Sequence, residues 1–373
     1  MPTLIRQINS LPDSIEVARE VSIEGGLLQR WGSRSLAWRV FLGLLPVDSA
    51  NTDDGNAMRL AWVNTTRASR AKWAELERSM SLIVIAKQTK NFNPLAPPKA
   101  AEKDDKATQE KEMKDLIKQD VSRTLQEFDH FRKVETKDLL TQLLYLWGRE
   151  NPDYGYKQGM NEILAIVLVV FDTERLAGPR GRDWNGMSDE QIASSHFLEY
   201  MLDGEASRAD IYSCFDRILQ LGIKHLYMDT KDISELKASR MRKAKDAERS
   251  SLFQSSVSKD KENKQFRREL EQAYEREKSK SVISKRCTRI YEDHLRNLEP
   301  RLQKHLSENE VAPELHLTRW LRCMMSREFG LETTLKIWDF IFCGINEGML
   351  TSFAAQEAQP DNEFDYDNLL KEP

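Results

Sequence analysis

Apolar residues recur at helical spacing along most of the chain. Ile15, Ala18 and Val21 share one face, Leu36, Trp38, Val40, Phe41 and Leu44 follow, and Trp62, Trp73, Leu76, Met80 and Ile83 carry the pattern to Ala86. Gly25-Gly26 and Leu45-Pro46 punctuate it. From Lys137 to Glu150, residues Leu139, Leu140, Leu143, Leu144 and Trp147 mark an amphipathic helix. Asn151-Pro152 ends it, because the residue before a proline is pushed out of helical geometry. Ile163 to Phe171 is rich in β-branched side chains and suits a buried strand as well as a buried helix. No alternating partner strand or hairpin signal stands elsewhere, so a central buried helix is predicted. Further helices are predicted over Ala193 to Leu202, over Ile211 to Leu221 and from Arg289 onward, with a loop over Gly178 to Gly186. No solenoid period recurs. The expected class is all-α.

Charge interrupts this pattern in two places. Residues 91–111 combine proline, alanine and alternating charge, and residues 231–285 carry serine, lysine, arginine and glutamate with few large apolar side chains. Neither buries enough apolar area to order itself, so both are read as charged loop insertions, the second partly a solvent-facing helix. Residues 346–373 read as an acidic, disordered tail. The expected organisation is a single large multi-helix domain over 1–345 followed by that tail.

Composition narrows the function. With 373 residues and 40% hydrophobic content, the chain can bury a substantial core. Its 56 basic and 60 acidic residues give a charge of −4, so net charge points to no nucleic acid and no anionic lipid. The 4 cysteines (Cys214, Cys287, Cys323 and Cys343) form no C-x-x-C pair and read as small buried apolar residues in a reducing compartment. His294, His305 and His316 would share a helix face, but Pro300 and Pro313 break it, so no metal site is expected. The longest apolar run is about half a bilayer span, and the N-terminal residues show no basic segment leading into an apolar stretch, so no signal peptide is expected. A cytoplasmic protein without a transmembrane segment is expected. No G-x-x-x-x-G-K-[ST] loop, nucleophile elbow or H-E-x-x-H is present, so the chain is expected to hold no nucleotide of its own.

Chemistry is concentrated in two short motifs: Ile117-Lys118-Gln119-Asp120-Val121-Ser122-Arg123, and Tyr156-Lys157-Gln158-Gly159-Met160. One carries a guanidinium and the other a carboxamide. Those groups speed GTP hydrolysis when the cation neutralises charge on the transferring phosphoryl group and the amide orients the attacking water. Read alone, Arg123 is a surface arginine paired with Asp120, and Gln158 caps a helix between Gly155 and Gly159.

In these motifs the chain resembles the TBC domain, the Rab GTPase-activating fold, whose marks are I-x-x-D-x-x-R and Y-x-Q-G. Arg34-Ser35-Leu36-Ala37-Trp38 with Leu42-Gly43 is similar to the family's first block. Pro313-Glu314-Leu315, Arg319-Trp320, Arg327-Glu328-Phe329 and Ile337-Trp338-Asp339 are similar to its third. The likeness runs from Gly26 to Phe342. It implies an arginine finger at Arg123 and a glutamine finger at Gln158, both supplied in trans to a Rab-family GTPase in its GTP state. GTP and Mg then belong to the partner, and the outcome is regulation of membrane trafficking.

Supporting roles fall to Asp120, which restrains Arg123; to Tyr156, which anchors the loop through its hydroxyl; to Gly159, which permits the turn; and to Asn161 as a helix cap. Arg34 either supports the active face or sits in a surface ion pair. Trp38, Trp320 and Trp338 read as core anchors. The Tyr156 to Glu162 loop with the long charged insertion is similar to the endosome-associated branch, which implies peripheral recruitment to endosomes. In the tail, Tyr366-x-x-Leu369 and Asp365-x-x-x-Leu369-Leu370 are short patterns of the kind read by endosomal coat or autophagy adaptor proteins. Against the family's pattern a shortened C-terminal half is expected after Phe342-Cys343-Gly344, and Thr124-Leu125-Gln126 lacks the proline that often follows the finger. The competing function is a non-catalytic Rab-binding scaffold that keeps the fold.

Overall fold

The computed structural model describes residues 11–47, 55–88, 102–176, 183–228 and 281–345. Among them every extended element is helical, and the β-type contact is an isolated parallel bridge between Leu176 and Asp203. The principal helices are α1 (Leu11–Ile23), α2 (Arg34–Phe41), α3 (Gly55–Gln88), α4 (Glu102–Ser122), α5 (Val134–Glu150), α6 (Met160–Glu174), α7 (Ser207–Gln220), α8 (Val282–Arg289), α9 (Pro300–Glu308), α10 (Glu314–Arg322) and α11 (Leu331–Cys343). None of the described helices is long and apolar enough to cross a membrane.

The β-branched run is a helix, as predicted. In α6 every residue from Met160 to Leu168 is buried, and α2, α4, α5 and α7 pack around it. A helix enclosed on all sides needs no polar face, which is why its sequence lacks the stripe that marks α5. In α5, Leu140, Leu143, Leu144 and Trp147 turn inward.

All of α2 is buried, arginines included. Its N-terminus is stapled by the last residue of α6. The Glu174 carboxylate accepts the Ser33 hydroxyl at 2.8 Å and the backbone N–H groups of Arg34 and Ser35 at 2.7 and 2.9 Å. Burial pushes the Glu174 carboxyl above its ordinary range, while these donors pull it down. The anion also suits the positive end of a helix. Glu174→Ala is expected to cost about 2–3 kcal/mol by stranding buried donors, measured as a lower denaturation midpoint at unchanged slope.

Arg34 is corrected by the same region. It is not a surface residue but 6% exposed, with Nε donating to Asp339 of α11 at 2.8 and 2.9 Å. The Trp38 indole donates to the same carboxylate at 2.8 Å. Trp38, Trp338 and Phe342 stack around the pair with ring centroids 5.0–5.7 Å apart. The charge is tolerated inside because counter-ion and donor come with it. Trp320 departs from expectation too: it is half-buried against a satellite core of Leu226, Ile283, Cys287, Tyr291 and Leu317. All four cysteines are buried.

The loop read over 91–111 is corrected in its second half, since Glu102 already opens α4. Its first half, the tail at 346–373 and nearly all of 231–285 lie outside the described residues; α8 takes up the chain again at Val282.

Candidate functional site

Both motifs meet at the start of α6. On α4, Ile117 and Asp120 face inward with 0% and 1% exposure, so Arg123, one residue past the helix end, is thrown outward with its side chain 50% exposed. Its NH2 donates to Asp120 Oδ1. The other Asp120 oxygen accepts the Tyr156 hydroxyl at 2.7 Å. Burial pushes that phenol well above the tyrosine range, and the Asp120 carboxylate pushes the same way, so the hydroxyl stays a donor.

Asn161 closes the arrangement. Its Nδ2 donates to Thr124 Oγ1 at 2.8 Å, and the Thr124 hydroxyl donates to the Asp120 carbonyl at 2.9 Å. Its Oδ1 accepts the Gly159 N–H at 3.1 Å and lies 3.2 Å from the Tyr156 hydroxyl. Asp120, Tyr156, Asn161 and Thr124 therefore form one buried polar ring whose members satisfy one another, the condition under which a buried network rigidifies its surroundings. Asn161 is not the helix cap expected from sequence. Gly159 holds that position, and Asn161 works from inside α6.

Gln158 is exposed at the tip of the connecting loop. Gly155 and Gly159 flank it with φ of +61° and +106°, in the left-handed region that side chains resist. Gly159 has a second constraint. A Cβ there would lie 3.3 Å from Cys323 Sγ and 3.4 Å from the Tyr227 hydroxyl. That hydroxyl donates to the Arg322 carbonyl at 2.5 Å, so the third block supports the glutamine loop from behind. Gly148 on α5 supports it from below: a Cβ would sit 2.9 Å from Met113 Sδ and 3.1 Å from the Tyr156 nitrogen.

The turn after Arg123 is tied down without a proline. Leu125 takes φ of +42°, Gln126 Nε2 donates to the Thr124 carbonyl at 2.9 Å, and Arg132 Nε donates to the Gln126 carbonyl at 2.7 Å. The structure thus gathers Asp120, Arg123, Tyr156, Gly159 and Asn161 into one site, with Gln158 at its rim. Arg34 shares no hydrogen bond or ion pair with them among the described residues; its partner is Asp339. Sequence reading missed Thr124, Gly148, Tyr227 and Cys323, which matter through contacts distant in sequence.

A family model described as the Rab-GTPase-TBC domain matches residues 33–240 and 265–356. TBC1 domain family member 5 of Homo sapiens is 24% identical over 329 residues, covering 87% of this chain and 36% of that protein. Its counterpart in Mus musculus is 24% identical over 325 residues, 85% of this chain and 34% of that protein. TBC1 domain family member 5 homolog A of Dictyostelium discoideum is 22% identical over 83% of this chain and 30% of its own length. The chain thus spans about a third of the length of these curated relatives. The solved Ypt/Rab-GAP domain of Gyp1p superposes with a TM-score of 0.51 at 16% identity, over 95% of this chain and 85% of that one. That likeness supports the all-α fold.

Proposed function

The chain belongs to the Rab-GTPase-TBC domain family, and on that premise we propose that it is a GTPase-activating protein for a Rab-family small GTPase, acting in trans. Arg123 serves as the arginine finger that neutralises charge on the transferring phosphoryl group, and Gln158 orients the attacking water. The partner brings GTP and Mg. The observation that carries this reading is the buried ring: a half-exposed guanidinium hangs from Asp120, and the residue after Gln158 hangs from Asn161. A group whose mount is already rigid loses less freedom when it reaches a transition state. Asp120, Tyr156, Gly159 and Asn161 are positioning residues in this scheme; Arg34 is left to the core.

Peripheral recruitment to endosomal membranes belongs to the same proposal, supported by the resemblance to the endosome-associated branch. Single-turnover phosphate release from a panel of GTP-loaded Rab proteins, with and without catalytic amounts of the chain, tests the activity. Acceleration of at least one Rab is expected. Binding without acceleration of any would make the chain a scaffold instead.

A further inference from the structure

The turn that follows α10 holds a second arginine beside the polar ring. Met324 and Met325 take φ of +48° and +60°, consecutive left-handed residues with side chains, at a cost of about 1–2 kcal/mol each. The Trp338 indole donates to the Met324 carbonyl at 2.8 Å and the Met325 N–H to the Trp320 carbonyl at 2.8 Å, which fixes the turn. Arg327 emerges from it with its side chain 50% exposed.

Beneath Arg327 lies Glu162, whose side chain is 9% exposed and whose Oε1 is 4.0 Å from Arg327 Nε. Burial pushes the Glu162 carboxyl up, and Arg327 and then Asn161 pull it down, with Arg123 acting more weakly in the same sense. Asn161 Nδ2 donates to that carboxylate at 3.3 Å. The design repeats the first arginine: Arg123 stands half exposed on buried Asp120, Arg327 half exposed on buried Glu162, and Asn161 touches both arrangements. There is one difference. Arg123 spends a nitrogen on its carboxylate, whereas Arg327 makes no hydrogen bond among the described residues, and 4.0 Å is a Coulombic distance only. Nearby Arg319 shows the alternative, locked on Glu328 by two nitrogens at 2.5 and 2.8 Å.

We propose that Arg327 is a second arginine presented to the same GTPase, donating to an oxyanion on its nucleotide-binding face, with Glu162 as the buried counter-charge that holds it there. The inference rests on the GTPase-activating reading. The oxyanion is either a phosphate oxygen of the bound nucleotide or a carboxylate of the GTPase around it; both accept a planar guanidinium in the same way. A guanidinium with unused donors, supported from behind and facing outward, is prepared for such an acceptor.

The test compares wild type, Arg327→Ala, Arg327→Lys and Glu162→Gln in single-turnover hydrolysis with a responsive Rab, and in binding to the same Rab loaded with a non-hydrolysable GTP analogue. Arg327→Ala is expected to lower kcat/KM about 10- to 100-fold, the worth of one charge-assisted hydrogen bond, with an unchanged melting temperature. Lysine restores only part. Glu162→Gln gives a smaller loss of the same kind. A fall confined to kcat identifies the nucleotide phosphate; a rise in KM with weaker binding and a shallower salt dependence identifies the carboxylate. Arg327→Ala within about twofold of wild type in rate and affinity overturns the proposal while leaving the parent reading intact. If wild type accelerates no Rab but binds one, the parent reading fails, and unchanged affinity of Arg327→Ala for that Rab in its GTP-analogue state overturns the proposal separately.

Discussion

Replacing Arg123 with alanine is expected to remove about 10³- to 10⁵-fold of the accelerated GTP hydrolysis, roughly 4–7 kcal/mol of barrier, without unfolding the protein. The separation of the two effects follows from the geometry. The side chain is 50% exposed, and its hydrogen bond runs to Asp120, which keeps the Tyr156 hydroxyl when the guanidinium is gone. Loss of the charged hydrogen bond to buried Asp120 is expected to lower stability by about 1–3 kcal/mol, because water reaches the half-exposed site only in part. Lysine is not expected to rescue the rate, because a point charge cannot span phosphoryl oxygens as a planar fork does. Asp120→Ala is the poorer probe: it strands the buried Tyr156 hydroxyl and confounds rate with stability. Single-turnover phosphate release with Arg123→Ala decides the assignment, and a third of the wild-type rate remaining would remove Arg123 from the mechanism.

Why Arg123 was legible in the sequence, and Arg34 was not, comes down to the range of the contacts involved. The Ile117, Asp120, Arg123 spacing puts apolar, acidic and basic groups on successive turns of one helix, so the pairing of Asp120 with Arg123 is a local prediction. Arg34 reads as a surface charge because its counter-ion stands 305 positions away. Glu174 is silent in the sequence for the same reason: nothing at the end of α6 announces that its carboxylate caps a helix that starts 140 residues earlier.

Helix α4 illustrates a different failure. Its first half is charged enough to read as a solvated loop, but a charged sequence does not exclude helix. Ile117 and Val121 bury at its other end, and Lys114 covers the Tyr145 ring at 4.2 Å. Propagation from that anchored end costs little per residue in a segment of good helix formers. The site divides along the same line. Its two motif loops and the left-handed glycines beside Gln158 were readable, whereas the closure of the ring through Thr124 and the support from Tyr227 and Cys323 depend on how α4, α6 and α10 pack.

The glutamine supplies the sharpest remaining contrast, since two mechanisms predict opposite outcomes for a Rab whose own catalytic glutamine is replaced by alanine. With Gln158 orienting the water, the chain still accelerates that crippled Rab, and Gln158→Ala lowers acceleration on normal and crippled Rab alike by about 10²- to 10³-fold, the usual worth of one positioned polar group in a transition state. With Arg123 acting alone, the Rab's glutamine is indispensable and Gln158→Ala changes little. The geometry favours the first outcome. Gln158 is exposed, yet the backbone on either side of it is held in conformations of +61° and +106° that glycine alone adopts cheaply, and the following N–H is bound by Asn161 at 3.1 Å. A glutamine needed only for solubility or capping would not require a loop constrained at both ends, whereas a carboxamide that must meet a water on another protein does. Phosphate release from the glutamine-deficient Rab, measured with and without the chain, separates the mechanisms, and failure to accelerate it would remove Gln158 from the groups supplied in trans.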